Sequence, residues 1–573
     1  MTKGYLSFVL HGHLPWVLEQ GTWPHGEVWL LEAAAETYTP TLTMLTNLYE
    51  KNGFSNMLTM GITPVLTEQL AHPRFKGGFE NYLNERIDQS YKDKDHFNWM
   101  GEPEIAQLAE RWIRYYSSVK EQFVERFNKD LVEGYKILQD KGAIEIITCG
   151  LTHGYLPLLG KEETVNAQIK GGQSIYKYRY GGRDSAGIWL PELAYRPTYR
   201  WKNPLTEEEF DRQGIEYYLA KHDINYFLVD TPLLRGGEGI GTYLDKFDAL
   251  KKLWTQFEKQ KPNLTHKDYS LYRPYLVGGT ENYENKVNFF TRDDKTGILV
   301  WSGDIGFPGD GCYLEFHKKH WPSGNRYWRV TGKDVDLGKK EVYDHRKVVE
   351  RLDENSDHFF NVVKESLLQT YQQLEKPGVV VCPYDFELFG HWWFEAIGFL
   401  ERLIMKVNKD DEIATTTTKT YLERYPSDKD VYVPLPEGSW GKGNFHWIWL
   451  NDDTAYCWKY VYECEDLYLK ALKEFKETYY QDFNLAKRLI NQMGRELLLL
   501  SSSDWEFLIS TWAARDYAEK RIELHYTNFK KLYSLLKQYK DGRINEQAIR
   551  NLEKMEKEDS IAWEQDVYLW FEK

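Results

Sequence analysis

Two carboxylates and three histidines stand where short apolar runs of the sequence end. Tyr5–Leu10 leads into His11-Gly12-His13, and Ile144–Thr148 leads toward His153. Gly187–Leu190 leads into Pro191-Glu192, and Val379–Cys382 into Pro383-Tyr384-Asp385-Phe386-Glu387. Two carboxylates from separate segments are the minimum machinery for breaking a glycosidic bond. One attacks the anomeric carbon while the other protonates the departing oxygen, and a retaining reaction needs them roughly 5–5.5 Å apart. The proton donor must hold its proton near neutrality, so its pKa must be raised. Trp392 and Trp393, close in sequence to Asp385, are aromatic walls able to do that. Glu387 reads as a group behind the site and Glu395 as a helix-start residue. His11 and His13, with His153 as a third ligand, form the alternative: a metal site of the kind used by metal-dependent polysaccharide deacetylases on related barrels.

The elements that must position these groups follow from the hydrophobic pattern. Seven apolar, β-rich runs predict strands buried on both faces: Tyr5–Leu10, Met57–Met60, Ile144–Thr148, Gly187–Leu190, Ile224–Val229, Ile298–Ser302 and Val379–Cys382. Helical patterns lie between most of them, at Val28–Glu50, Glu102–Asp140, Thr206–Lys221 and His345–Leu374. The alternation predicts an α/β chain built on a seven-stranded (β/α)7 barrel over residues 1–410. In such a barrel catalytic groups sit just past the C-terminal ends of strands, and four of the seven runs end in a histidine or a carboxylate. Two excursions interrupt the pattern. One, a charged stretch from about Val65, predicts an inserted helical subdomain over residues 65–120. The other, Thr231 to Lys286, holds the Gly-rich piece Arg235–Gly241, a charged helical piece, and Tyr272 and Tyr275. Residues 411–573 read as a C-terminal helical domain, with helices at Asp466–Glu477, Asn484–Leu500, Glu506–Gln538 and Asn545–Lys557.

Composition sets the class. The 573 residues carry a net charge of −14, which argues against nucleic acid or an anionic membrane as partner. Of 21 Trp and 41 Tyr most read as anchors of a large core, with several Trp as the alternative stacking platforms for sugar rings in a half-wet groove. Five cysteines without CxxC spacing predict a reducing compartment rather than a disulfide framework, and Cys149 and Cys382 read as small buried hydrophobes. The opening residues do not resemble a signal peptide, and no apolar run is long enough to span a membrane. The expected location is cytoplasmic.

The pieces HGHLP, WLPE, YDFELFGHWWFE and SSSDW occur in an order that resembles glycoside hydrolase family 57, and within it the 1,4-α-glucan branching enzymes. The resemblance covers nearly the whole chain. It implies an α-glucan substrate, no cofactor, no metal, and a covalent glucosyl-enzyme that is passed to the 6-hydroxyl of a second chain. The Glu of WLPE, here Glu192, would be the nucleophile, and the Asp of YDFELFGHWW, here Asp385, the acid/base. His11, His13 and His153 would line the subsite of the attacked sugar. Arg292, Gly309 and Trp301 would contact substrate, Trp440 and Trp449 would serve the acceptor side, and Asp504 would bind sugar from the helical domain. Two positions depart from the pattern. Ala513 stands where branching enzymes often carry Gln, and the loop expected to present a catalytic tyrosine is lengthened, leaving Tyr272 or Tyr275 for the role. An α-amylase or 4-α-glucanotransferase on the same site, or an inert glucan-binding protein, are the competing functions.

Overall fold

The computed structural model describes residues 2–206, 208–235, 269–303 and 305–572. Its strands, in chain order, are β1 (Gly4–Gly12), β2 (Thr59–Ile62), β3 (Glu145–Cys149), β4 (Gly187–Trp189), β5 (Tyr199–Lys202), β6 (Glu209–Arg212), β7 (Tyr226–Val229), β8 (Tyr275–Val277), β9 (Asn288–Thr291), β10 (Gly378–Asp385), β11 (Ile413–Thr415) and β12 (Tyr432–Val433). β5 and β6 form a separate antiparallel hairpin. The rest pair in one sheet ordered β10-β1-β2-β3-β4-β7-β9-β8-β12, with β11 beside the first residues of β1. From β10 to β9 every neighbour is parallel. The two ends of that run meet. The Asp293 N–H, just past β9, donates to the Val381 carbonyl of β10 at 3.1 Å, and the Tyr384 hydroxyl donates to the Thr296 carbonyl at 2.9 Å. The sheet is therefore curled, with an apolar layer on each face.

Strand alternation decides which residues look inward. Tyr5, Val9, Ile147, Trp189, Leu228, Phe290, Val379 and Val381 form the inner cluster. Leu6, Phe8, Leu10, Ile146, Ile188, Val380, Cys382 and Tyr384 belong to the outer core beneath the helices. His11 continues the inward series of β1, and Asp385 that of β10. Their register is direct, since His11 lies opposite Asp385 across the β1–β10 ladder. Hydrophobic alternation thus delivers both side chains to one mouth of the curled sheet.

Six of the seven expected runs contribute strands, and the seventh does not. Ile298–Ser302 lies largely in a helix, Asp294–Trp301, because Asp293 caps its first turn by accepting from the Thr296 N–H at 2.7 Å. The strand is Asn288–Thr291, a few residues earlier. The short strands β8, β11 and β12 also join, so ten strands pair where seven were expected. The stretch expected as helix Thr206–Lys221 instead holds β6 before a helix at Ile215–Lys221. Asn203 forces the turn there, its side chain accepting from Leu205 and Thr206 N–H groups. Between β2 and β3 a pair of long helices, Pro73–Met100 and Pro103–Glu121, reverses at left-handed Gly101. His345–Leu374 is helical over its expected length.

After β12 the chain is helical: Ala455–Glu477, Phe483–Leu500, Asp504–Thr511, Arg515–Lys540 and Glu546–Glu558. The expected single helix Glu506–Gln538 is broken at Trp512, which adopts φ 59°. This region is clasped to the sheet's loops. The Ser503 N–H donates to the His153 carbonyl at 3.0 Å, the Thr152 hydroxyl to the Leu498 carbonyl at 2.5 Å, and the Trp16 indole to the Glu558 carbonyl at 3.0 Å. Most of the Gly-rich and charged pieces expected between Thr231 and Lys286 fall on residues 236–268, outside the described residues. No described helix is long and apolar enough to cross a membrane.

Candidate active site

One cleft gathers His11, His13, His153, Glu192, Arg292, Trp301, Asp385, Trp440, Trp449 and Asp504. These residues come from strand ends, from the end of helix Asp294–Trp301, from the segment after β12, and from the helical region.

Glu192 sits in the Pro191–Leu193 turn after β4 with φ 60° and ψ 24°, and Leu193 follows at φ 47°. His153 also has φ 59°. Left-handed backbone at non-glycine residues costs on the order of 1–3 kcal/mol each and persists only where surroundings enforce it. Here the segment after β12 does so: the Trp440 N–H donates to the Glu192 carbonyl at 3.1 Å, and Tyr195 and Gly438 exchange backbone bonds at 2.8 and 3.0 Å. The carboxylate is held at both oxygens. The Trp440 indole donates to Oε2 at 2.8 Å and the Ser503 hydroxyl to Oε1 at 3.2 Å.

These bonds fix two histidine tautomers. Ser503 spends its proton on Glu192, so His153 Nδ1–H donates to Ser503 Oγ at 2.8 Å. His153 Nε2 must then accept, and His11 Nε2–H donates to it at 3.0 Å. Burial, with the neighbouring histidines, holds the pKa of both rings well below the usual histidine value, so both are neutral as this chain of bonds requires. His11 stacks on Trp189 at 4.4 Å and 6°.

Burial first, then Asp385 and Asp504, push the Glu192 carboxyl up to about 7, while the Trp440 bond pulls it down. Burial and nearby Glu387 drive Asp385 well above the usual carboxylate range, against the pull of Arg292. A raised pKa on Asp385 is what a proton donor needs, and the two donors on Glu192 favour the charged form that a nucleophile needs. Arg292 is fixed by a buried bidentate pair with Asp230, at 2.9 and 2.8 Å. For Asp504 burial pushes upward, but His13, His153 and the Ser502 hydroxyl together outweigh it and lower its pKa; His13 Nε2 meets its two oxygens at 3.0 and 2.9 Å. Glu387 lines the cleft and accepts from the His13 N–H at 3.0 Å and the Tyr38 hydroxyl at 2.5 Å.

The side chains of His13, His153 and Asp504 bring one ligand atom each within 4.8 Å of the others, as do His11, Cys149 and His153. These are the atoms that could hold an ion. In the structure the His153 and Asp504 atoms are engaged in the bonds to Ser503, His11 and His13.

Three expected contacts fall elsewhere. Gly309 lines an adjoining groove that shares Trp301 and Trp392 with the cleft. Tyr272 and Tyr275 line a separate cavity with Pro377, Tyr421 and Tyr425. Tyr275 is buried against Phe289 and donates to the Ser270 carbonyl, and Tyr272 donates to Asp293 at 3.0 Å. Neither tyrosine lines the cleft in the structure. Trp449 reaches the cleft but is only 1% exposed, with one face stacked on Tyr155 at 4.3 Å. Asp230 and Ser503 were not singled out from the sequence. Asp230 directly follows β7, so the strand-end rule that found Glu192 and Asp385 applies to it as well, and Ser503 adjoins Asp504.

An α/β sheet with two carboxylates in one aromatic cleft defines a class of carbohydrate-active protein, and the comparisons narrow it. The pattern of glycosyl hydrolase family 57 matches residues 7–434, and that of the 1,4-alpha-glucan branching enzyme C-terminal region matches residues 461–570. The chain belongs to glycosyl hydrolase family 57. It is 37% identical over 558 residues to a 1,4-alpha-glucan branching enzyme of Thermococcus kodakarensis, covering 97% of this chain and 77% of that one. Its fold matches the GH57-type branching enzyme of Pyrococcus horikoshii with TM-score 0.87 at 36% identity, over 100% and 97% of the two chains. The alpha-amylase AmyC of Thermotoga maritima matches with TM-score 0.78 at 28% identity, over 100% and 99%.

Proposed function

We propose that this protein is a 1,4-α-glucan branching enzyme that cleaves α-1,4 linkages and forms α-1,6 linkages. The carrying observation is that Glu192 and Asp385 line one aromatic cleft, with the Asp385 carboxyl raised well above its ordinary range by burial and Glu192 held at both oxygens. Glu192 attacks C1 of a glucosyl unit while Asp385 gives its proton to the departing oxygen. Asp385, now a base, takes the proton of an incoming 6-hydroxyl. The parallel run from β10 to β9 acts as a seven-stranded barrel wall, residues 65–120 as an inserted helical subdomain, and the helical region as a second domain that completes the cleft with Asp504. His11, His13, His153, Arg292, Trp301 and Trp440 hold the sugar. The family pattern over residues 461–570 supports this reading. The likeness to an alpha-amylase over the full chain favours water as the competing acceptor. Incubation with amylose separates the two. Branching produces α-1,6 linkages in the proton NMR spectrum; reducing ends without them would reject it. Metal analysis and a chelator test the metal-dependent alternative, and undiminished activity of metal-free protein is the expected result.

A further inference from the structure

Beside the catalytic cleft runs a second groove that shares two of its walls, Trp301 and Trp392. Its other walls come mainly from the segment between helices Asp294–Trp301 and His345–Leu374, among them Gly309, Phe316, Val335 and Leu337. That segment is stapled. Leu314 bridges to Arg329 and Trp328 to Val342. Nearly buried Lys340 reaches Glu315 at 3.1 Å and donates to the Val330 carbonyl at 2.7 Å. At Gly309 even a methyl group would meet the Gly303 carbonyl oxygen at 2.1 Å, so the backbone there packs too closely for any side chain.

Trp392 stands on the partition. One face stacks on Phe316 at 4.3 Å and 29°, and Phe316 is backed in turn by Arg326 and Lys319. Trp392 nonetheless remains 44% exposed. An indole fixed by one face and open on the other is a platform for the apolar face of a sugar ring.

The shape of the reaction gives this arrangement a use. A glucan that accepts through its terminal 4-hydroxyl ends at the reacting sugar, and one groove holds it. A glucan that accepts through the 6-hydroxyl of an internal sugar continues on both sides of that sugar. It needs two channels that meet at the reacting carbon. We propose that the side groove carries one arm of the acceptor glucan, with Trp392 as the platform at the bend and Phe316 positioning its ring. The proposal rests on the branching reading above. In the transfer step the acceptor O6 bonds to C1 of the glucosyl–Glu192 ester. The C1–Oε bond breaks, its electron pair returns to the Glu192 carboxylate, and the O6 proton passes to the Asp385 carboxylate. Water competes for the same ester. A seated acceptor raises the local concentration of the 6-hydroxyl, so the groove sets how the ester partitions rather than how fast it forms.

The test compares the full-length protein with Phe316→Ala, which removes the backing of Trp392, and Val335→Trp, which fills the groove. Each acts on amylose, with α-1,6 linkages counted by proton NMR and new reducing ends by a colorimetric assay. Their ratio does not depend on how much of a variant folds. It is expected to fall by about fivefold or more in both variants, the scale of losing one ring contact. If the unaltered protein branches and the ratio is unchanged in both variants, the groove has no acceptor role and the branching reading stands. If the unaltered protein makes reducing ends and no α-1,6 linkages, the branching reading fails and the groove's role with it.

Discussion

The nucleophile proposed here receives one donor on each carboxylate oxygen, Ser503 on Oε1 and Trp440 on Oε2. Donors to the charged form favour it, and they work against the burial that lifts Glu192 to about 7. For the free enzyme, kcat/KM should fall as pH drops below about 7 and Glu192 takes up a proton. It should fall again at higher pH, where Asp385 loses the proton it must donate. Trp440→Phe removes one donor, so the acid limb of that profile should move to higher pH; a limb that stays put would detach Trp440 from the ionisation of Glu192. Both carboxylates were legible in the sequence because strand ends can be read from a hydrophobic pattern; inward parity accounts for Asp385, whereas Glu192 reaches the cleft through its left-handed turn. The donors were not. Ser503 and Glu192 are 311 residues apart, and no spacing rule links them before the chain folds. The direction in which Tyr272 and Tyr275 face was not legible, because a tyrosine in a long loop carries no periodicity to set it.

Helix Asp504–Thr511 shows how one element divides its labour. Asp504, Phe507 and Thr511, spaced at three and four residues, line the cleft. Glu506 points elsewhere, 1% exposed, with no side chain of opposite charge among the causes that set its pKa. Burial, with Asp504 nearby, drives its pKa well above the ordinary value. The folded state therefore binds this proton more tightly than the unfolded chain. The stability contribution is whole below the ordinary carboxylate range, near pH 4, and is lost as pH rises toward the folded value. Glu506→Met should raise thermal stability at pH 8 by about 1–3 kcal/mol, with the gain shrinking as the pH is lowered toward 4. A gain independent of pH would mean that the charge is not the cause. The element that misled the sequence reading, Ile298–Ser302, has the apolar run of a strand. Its helix is set by the capping Asp293 at the start, a local signal that outweighs β-propensity.

At the scale of the molecule, the sheet and the helical region share buried polar anchors. Arg521 donates to the Trp16 carbonyl at 2.5 Å and to His525 at 2.8 Å, and Gln20 donates to Asp559 at 3.0 Å. Calorimetry should show one unfolding transition for both parts, and Arg521→Ala should lower stability by about 3 kcal/mol while keeping a single peak. Two separated peaks in the unaltered protein would show that the parts unfold independently. The helical character of the last 160 or so residues was plain in the sequence, yet their docking was not, because buried polar anchors leave no amphipathic trace. The bond from His13 to Asp504 spans 491 positions, and this has a consequence for synthesis. A ribosome that has reached residue 450 has already made both acidic groups, but neither the serine that steadies one of them nor the aspartate that pairs with His13. The growing polypeptide therefore carries an incomplete site past any glucan it meets, and the site is complete only after the later helices emerge and dock.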